Sequence, residues 1–319
     1  MTIKLSEIER KIFQFIKDYE IFKKCDKILI GVSGGKDSMT LLNIMYKLSK
    51  LSGYQLGVAH FNHKLRKESD KEQEFVRSYC EGLSVPFFTA EGDVIGYCSK
   101  NKKTIETGAR ELRYEFLYEI LRKYGYNKIA TAHHASDLAE TVIYRLSRGT
   151  GIIGMGGLSP VNGKVTHPML TVTLKEILDY VTINNVKHVN DSSNEDKKYT
   201  RNAIRLDILP VLENINPKYD ENILRFCQIV WSYKEQVEKI YDERVSETGE
   251  VYEFKLRYDF FDSEVLRMIF LKNGKYPPNY EESCKIISMK NGGRRKFGNI
   301  VIKRKKDSLT LQVMKQREA

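Results

Sequence analysis

The sequence predicts an α/β protein: a doubly wound parallel sheet followed by a smaller, mainly helical, basic C-terminal α+β domain. Three observations carry this. Short apolar runs rich in branched residues alternate with longer stretches of helical periodicity over the first two thirds of the chain. The first such run, Ile28-Leu29-Ile30, ends in the glycine pair Gly34-Gly35, where the backbone can turn tightly and approach a ligand. Beyond Asn216-Pro217 the pattern changes to one long helix and a strongly basic tail.

Residues 1–24 read as an amphipathic helix with Ile8, Ile12, Phe13 and Ile16 on one face. After the first strand and its glycine turn, Leu41, Leu42, Met45 and Leu48 define one face of a second helix. A strand over Gln55 to Phe61 leads into His60-Phe61-Asn62-His63-Lys64-Leu65-Arg66, and Ser69 to Leu83 is helical. Val85-Pro86-Phe87-Phe88 begins a third strand, Thr104 to Tyr124 is a long helix, and Lys128 to Ala132 is a fourth strand. Ser136 is expected to cap the next helix, which carries Asp137, Glu140 and Arg145. The polar clusters after strands one, two and four should meet at the carboxyl ends of the strands, where ligands of such sheets collect.

Arg148 to Gly157 is a glycine-dense connector. Val165 to Leu170 is strand-like, Thr173 to Asn184 helical, and Arg201 and Arg205 lie on a further helix. The domains are placed at 1–215 and 216–319. In the second, residues 218–246 read as one helix, Glu250 to Leu256 as a strand, 262–272 and 279–290 as helices, and Gly293 to Val313 as a hairpin turning near Lys306-Asp307.

The net charge of +11 favours an anionic partner. Between Lys285 and Arg317 stand eleven basic residues and one acid, Asp307, a density suited to RNA phosphates, with Arg294, Arg295 and Lys296 at its centre. Five cysteines are scattered without a C-x-x-C pair, which argues against a zinc site or redox motif. No apolar run approaches the length of a signal peptide core or a membrane span, so a reducing cytosol is the expected setting and no membrane partner is expected.

The glycine turn opens a helix, and a helix start offers free N–H groups and positive potential to a phosphate. Ser33-Gly34-Gly35-Lys36-Asp37-Ser38 is not a Walker A loop, because Asp37 follows Lys36, and no third glycine completes a dinucleotide fingerprint. It resembles the PP-loop of ATP pyrophosphatases, which cleave ATP between the α- and β-phosphates. The succeeding motifs, including Glu106 with Ala109-Arg110 and Arg113-Tyr114, Thr131-Ala132-His133-His134, Glu140-Thr141, Arg148-Gly149-Thr150-Gly151, Asp191 with Ser193-Asn194, and Arg201-Asn202 with Arg205, stand in the order found in the tRNA(Ile)-lysidine synthetases. The resemblance is close over residues 25–217 and weaker in the tail, at Gly292-Gly293-Arg294.

That resemblance implies a ligase reaction. ATP adenylates the C2 oxygen of the wobble cytidine of tRNA(Ile) with anticodon CAU. Free L-lysine then displaces AMP to form lysidine. Ser33 to Ser38 would bind ATP, with Asp37 also holding Mg²⁺. Asp37, Arg113, His133 and Arg205 are the expected catalytic residues, and Asp137 and Glu140 the expected lysine site. Arg148, Arg201, Arg294, Arg295 and Lys296 would contact tRNA. A homodimer is left open. Lys36, Ser136 and His167 depart from the family pattern, which commonly has a small or apolar residue, an acid and an arginine at these places. The competing readings are a PP-loop tRNA-thiolating enzyme and a non-catalytic nucleotide-dependent RNA-binding protein.

Overall fold

The computed structural model describes residues 4–64, 68–189 and 200–314. Leu65-Arg66, the Asp191 to Asn194 motif, Lys315 and Arg317 lie outside the described residues. The chain divides into two compact units, residues 1–148 with 157–226, and residues 149–156 with 227–319.

The first unit is built on a six-stranded sheet of order β3-β2-β1-β4-β6-β5. Its strands are β1 (Lys27–Gly31), β2 (Gln55–Asn62), β3 (Phe87–Glu91), β4 (Lys128–Ala130), β5 (Val161–Asn162) and β6 (Val165–Thr166). All neighbours are parallel except the β5–β6 hairpin. Ile28, Leu29 and Ile30 are fully buried, as expected for a central parallel strand covered on both faces.

Helices α1 (Glu7–Asp18), α2 (Lys36–Ser52), α3 (Ser69–Leu83), α4 (Val94–Asn101), α5 (Ile105–Tyr124), α6 (Ala135–Arg148) and α8 (Leu174–Ile183) belong to this unit; α7 (Ile152–Met155) falls in the 149–156 segment. On α2, Leu41, Leu42, Met45 and Leu48 are all fully buried. Each contributes roughly 2 kcal/mol of apolar burial, and Gly53 at φ +73° ends the helix. Thr104 caps α5 by accepting from the Thr107 N–H. Ser136 does not cap α6, which already begins at Ala135; the capping role falls to Asp137, whose Oδ2 accepts from the His134 N–H at 3.0 Å.

After residue 200 the chain runs through α9 (Thr200–Ala203), a π-helical turn (Ile204–Ile208) and α10 (Leu209–Ile215) into α11 (Tyr219–Arg244). The two compact units divide between Phe226 and Cys227, inside α11. Segment 149–156 groups with the second unit because Trp231 Nε1 donates to the Gly156 carbonyl at 2.8 Å.

The second unit carries a five-stranded antiparallel sheet, β7 (Val245–Thr248), β8 (Val251–Lys255), β11 (Ser308–Val313), β10 (Ile300–Lys305) and β9 (Arg294–Phe297), in that order. With α12 (Phe261–Lys272) and α13 (Tyr280–Ile287) it encloses a core including Phe254, Leu266, Phe270, Ile302 and Leu311. The expected turn at Lys306-Asp307 joins β10 to β11.

Candidate nucleotide and catalytic site

The site lies at the carboxyl ends of β2, β1 and β4, three adjacent strands. After β1 the chain turns through Gly34, at φ +95°, a conformation that favours glycine. A Cβ there would lie 2.9 Å from Val189 Cγ2, and the Gly34 carbonyl accepts from the Val189 N–H at 2.9 Å. The loop is braced from within. Ser38 Oγ donates to the Gly35 carbonyl at 2.9 Å and accepts from the Ser33 N–H at 3.2 Å. Gly35 caps α2, so the first-turn N–H groups of Lys36, Asp37 and Ser38 have no intrahelical acceptor. Ser33 to Ser38 thus form a rigid, donor-rich bend of the kind that holds phosphates. His60, from β2, supports it from beneath through Nδ1 and the Val32 carbonyl at 2.9 Å.

Asp37 sits in the first turn of α2, and its buried Oδ1 has no hydrogen-bond partner among the described residues. Its charge reaches Arg205, whose guanidinium stays firmly protonated: burial opposes the charge, but Glu140, Asp137 and Asp37 outweigh it. Arg205 stands on the π-helical turn and donates to Asp137 Oδ1 at 3.0 Å and Glu140 Oε2 at 2.9 Å. The expected catalytic arginine and the two expected lysine-site carboxylates are therefore one ion cluster. Arg201 stands 3.9 Å from Glu140, at its edge. Glu140 is 3% exposed, and burial pushes its carboxyl above the ordinary glutamate range despite Arg205. For Asp137 burial acts the same way, but His134, His133, Arg205 and the His134 N–H reverse it and hold the carboxyl low.

His133 follows β4 in the same crevice. Its Nδ1 is 2.8 Å from Thr131 Oγ1, and its ring meets His167 edge to face at 4.9 Å. Burial depresses its pKa to about 3, with Asp137 opposing and His167, Arg113 and Arg110 reinforcing. The imidazole is neutral at ordinary pH, so it can offer a ligand a hydrogen bond but not an imidazolium. Thr131 and His167 are the partners that sequence reasoning left without roles. The only sequence signal for His167 was its place where an arginine is usual.

Arg113 and Arg110 project from α5 beside Tyr114, at 5.4 and 4.8 Å from its ring centre. No ion pair among the described residues engages either guanidinium. Arg113, an uncompensated cation whose charge reaches the neutral His133 imidazole, suits a transferring phosphate.

The expected RNA contacts are distributed. Arg148, at the exposed end of α6, donates to the Tyr144 hydroxyl at 2.6 Å. Arg294, Arg295 and Lys296 are all exposed on β9, but they do not share a face. Arg294 pairs with Lys303, Arg295 with Ile302 and Lys296 with Val301, so strand alternation puts Arg294 and Lys296 on one face and Arg295 on the other.

Residues 4–212 match the family described as a PP-loop domain. The chain is 52% identical to a tRNA(Ile)-lysidine synthase of Petrotoga mobilis over 97% of its length and 99% of that protein. It is 44% identical to the tRNA(Ile)-lysidine synthase of Thermosipho africanus over 69% of this chain, spanning 52% of that protein. A tRNA(Ile)-lysidine synthase of Thermotoga maritima is 38% identical over 77% of this chain and 59% of its own. Among solved structures, a U34-tRNA thiolase of Methanococcus maripaludis shares the fold, with TM-score 0.57 and 16% identity over 70% of this chain and 78% of that one.

Proposed function

The chain belongs to the tRNA(Ile)-lysidine synthase family, and from that premise we propose that it joins free L-lysine to C2 of the wobble cytidine of tRNA(Ile) with anticodon CAU. ATP is consumed through an adenylated cytidine, and AMP and pyrophosphate leave. The observation that carries this reading is identity over essentially the whole length of one relative. The 16% likeness to a thiolase extends to the fold alone.

The Ser33 to Ser38 bend holds the β- and γ-phosphates through N–H groups, with Lys36 adding charge. Asp37 suits a Mg²⁺ ligand: its Oδ1 is buried and unpartnered among the described residues, and one carboxylate with phosphate oxygens and water makes an ordinary magnesium shell. Such an ion, when bound, would neutralise phosphate charge. The C2 oxygen attacks the α-phosphorus, and the P–O bond to pyrophosphate breaks. Arg113 faces the charge that develops there, and neutral His133 donates or accepts one hydrogen bond to the reacting base. Asp137 and Glu140 receive the ammonium group of lysine, in competition with Arg205. The attacking ammonium first gives a proton to solvent, the resulting amine bonds to C2, and the C–O bond to AMP breaks.

The deciding experiment supplies ATP, Mg²⁺, labelled lysine and a CAU-anticodon isoleucine tRNA transcript, with labelled sulfur donor in a parallel reaction. Lysine label in the wobble nucleoside with AMP release is the expected result. Sulfur incorporation, or RNA binding without AMP release, would replace this reading by one of its competitors.

A further inference from the structure

A cleft of about 670 Å³ opens in the first unit beside the catalytic residues. Its walls carry Arg110, Tyr114 and Tyr118 from α5, Tyr144 from α6 and Arg201 from α9, and it reaches His167. None of its described lining residues is acidic. Arg110 is exposed and has no ion pair among the described residues. The Tyr114 ring lies between the Arg110 and Arg113 guanidinium groups, 4.8 and 5.4 Å from its centre.

These features select the ligand class. Arg110, without a counterion among the described residues, calls for an anion, Arg201 is held only at 3.9 Å by Glu140 at the edge, and three phenol rings call for a flat apolar partner. A nucleotide of single-stranded RNA supplies both, since bases stack on tyrosine and phosphates pair with arginine. Free lysine is excluded by charge, because its ammonium groups would meet arginines and no carboxylate. ATP phosphates belong at the Ser33 to Ser38 bend, and no residue of that bend lines the cleft. Nor do Asp137, Glu140 or His133 line it; the nearest link is His167, whose ring touches that of His133. The reacting base therefore lies beyond the cleft.

We propose that this cleft seats the ribonucleotide adjoining the target cytidine, stacked on tyrosine and with its phosphate held by Arg110 and Arg201. The proposal rests on the lysidine-forming reading for the identity of the target. Seating the neighbour would splay the loop and aim the cytidine at His133.

Direct binding tests it without turnover. The full chain is titrated with a fluorescent single-stranded oligoribonucleotide matching the anticodon loop, over a range of salt. Arg110→Gln should weaken binding on the order of tenfold and reduce the log–log salt slope by about 0.7. Tyr144→Leu should weaken it on the order of tenfold and Tyr144→Phe by much less. Tyr144 also packs on a small core cluster, so thermal unfolding is followed alongside, and Arg110→Gln decides if Tyr144→Leu is misfolded. KM for ATP and for lysine should stay unchanged in Arg110→Gln. An unchanged RNA affinity and salt slope in that variant would overturn the proposal, as would a rise confined to KM for ATP or lysine. If wild type binds the oligonucleotide as described yet incorporates no lysine, the lysidine reading fails while the seat stands.

Discussion

His133 offers the most quantitative test of the site. Its pKa is about 3 against an ordinary 6.5. Between these values the unfolded chain binds a proton that the folded chain refuses, so this group's contribution to stability is complete above about pH 6.5 and shrinks as pH falls toward 3. From about pH 7.5 to about pH 5, linkage gives a loss of about 2 kcal/mol from this residue alone. His60 and His167 are also depressed by burial and add to the wild-type slope. The comparison is therefore with His133→Gln, which keeps them and removes the one imidazole. Urea unfolding at both pH values, read on a probe in the first unit, should show wild type losing about 2 kcal/mol more than the variant. In parallel, the assigned His133 ring resonance should not titrate between about pH 5 and pH 8. A midpoint near 6.5, with equal pH slopes in the two proteins, would refute both the burial argument and the neutral role assigned to His133.

The other predictions concern the phosphate bend and the carboxylates. Asp37→Asn should abolish RNA-dependent ATP–pyrophosphate exchange at any Mg²⁺ concentration; exchange restored by excess Mg²⁺ would show that Asp37 only assists. Gly34→Ala adds a methyl 2.9 Å from Val189 at a φ of +95°, a backbone strain of roughly 1–2 kcal/mol. ATP affinity should fall on the order of tenfold, and an unchanged Kd by calorimetry would contradict it. Glu140→Gln removes a charge-assisted partner worth roughly 1.5–3 kcal/mol, so KM for lysine should rise tenfold or more while KM for ATP holds. Because burial raises the Glu140 carboxyl, wild-type lysine affinity should already weaken as pH falls through the mildly acidic range; a flat profile would remove Glu140 from the lysine site.

What could be seen in the chain beforehand was local. The glycine bend, the apolar face of α2 and the span of α3 follow from neighbouring residues, and the structure has them where periodicity places them. The short helix α4 was not seen, because its eight residues show little periodicity and its signal is one cap, Asp93 accepting from the Gly96 N–H. Strand β7 was hidden because its residues continue the polar surface of α11 and acquire strand character by pairing with β8. At the site, residue types were legible and partnerships were not. Arg205 and Glu140 are 65 positions apart, and only the fold shows that arginine and carboxylates occupy each other. The Arg110, Arg113 and Tyr114 cluster could have been noticed from its helical spacing on α5. That it faces a cleft shared with Tyr144 depends on α6 lying opposite.

The central claim is that the bend after β1 grips the pyrophosphate end of ATP. A crystal structure with a non-hydrolysable ATP analogue and Mg²⁺ tests it most directly. The account predicts β- and γ-phosphate oxygens within hydrogen-bonding distance of N–H groups between Gly34 and Ser38, with the α-phosphate directed toward Arg113 and His133. A triphosphate bound in the tyrosine-lined cleft, or anywhere away from Gly34 and Gly35, would contradict it.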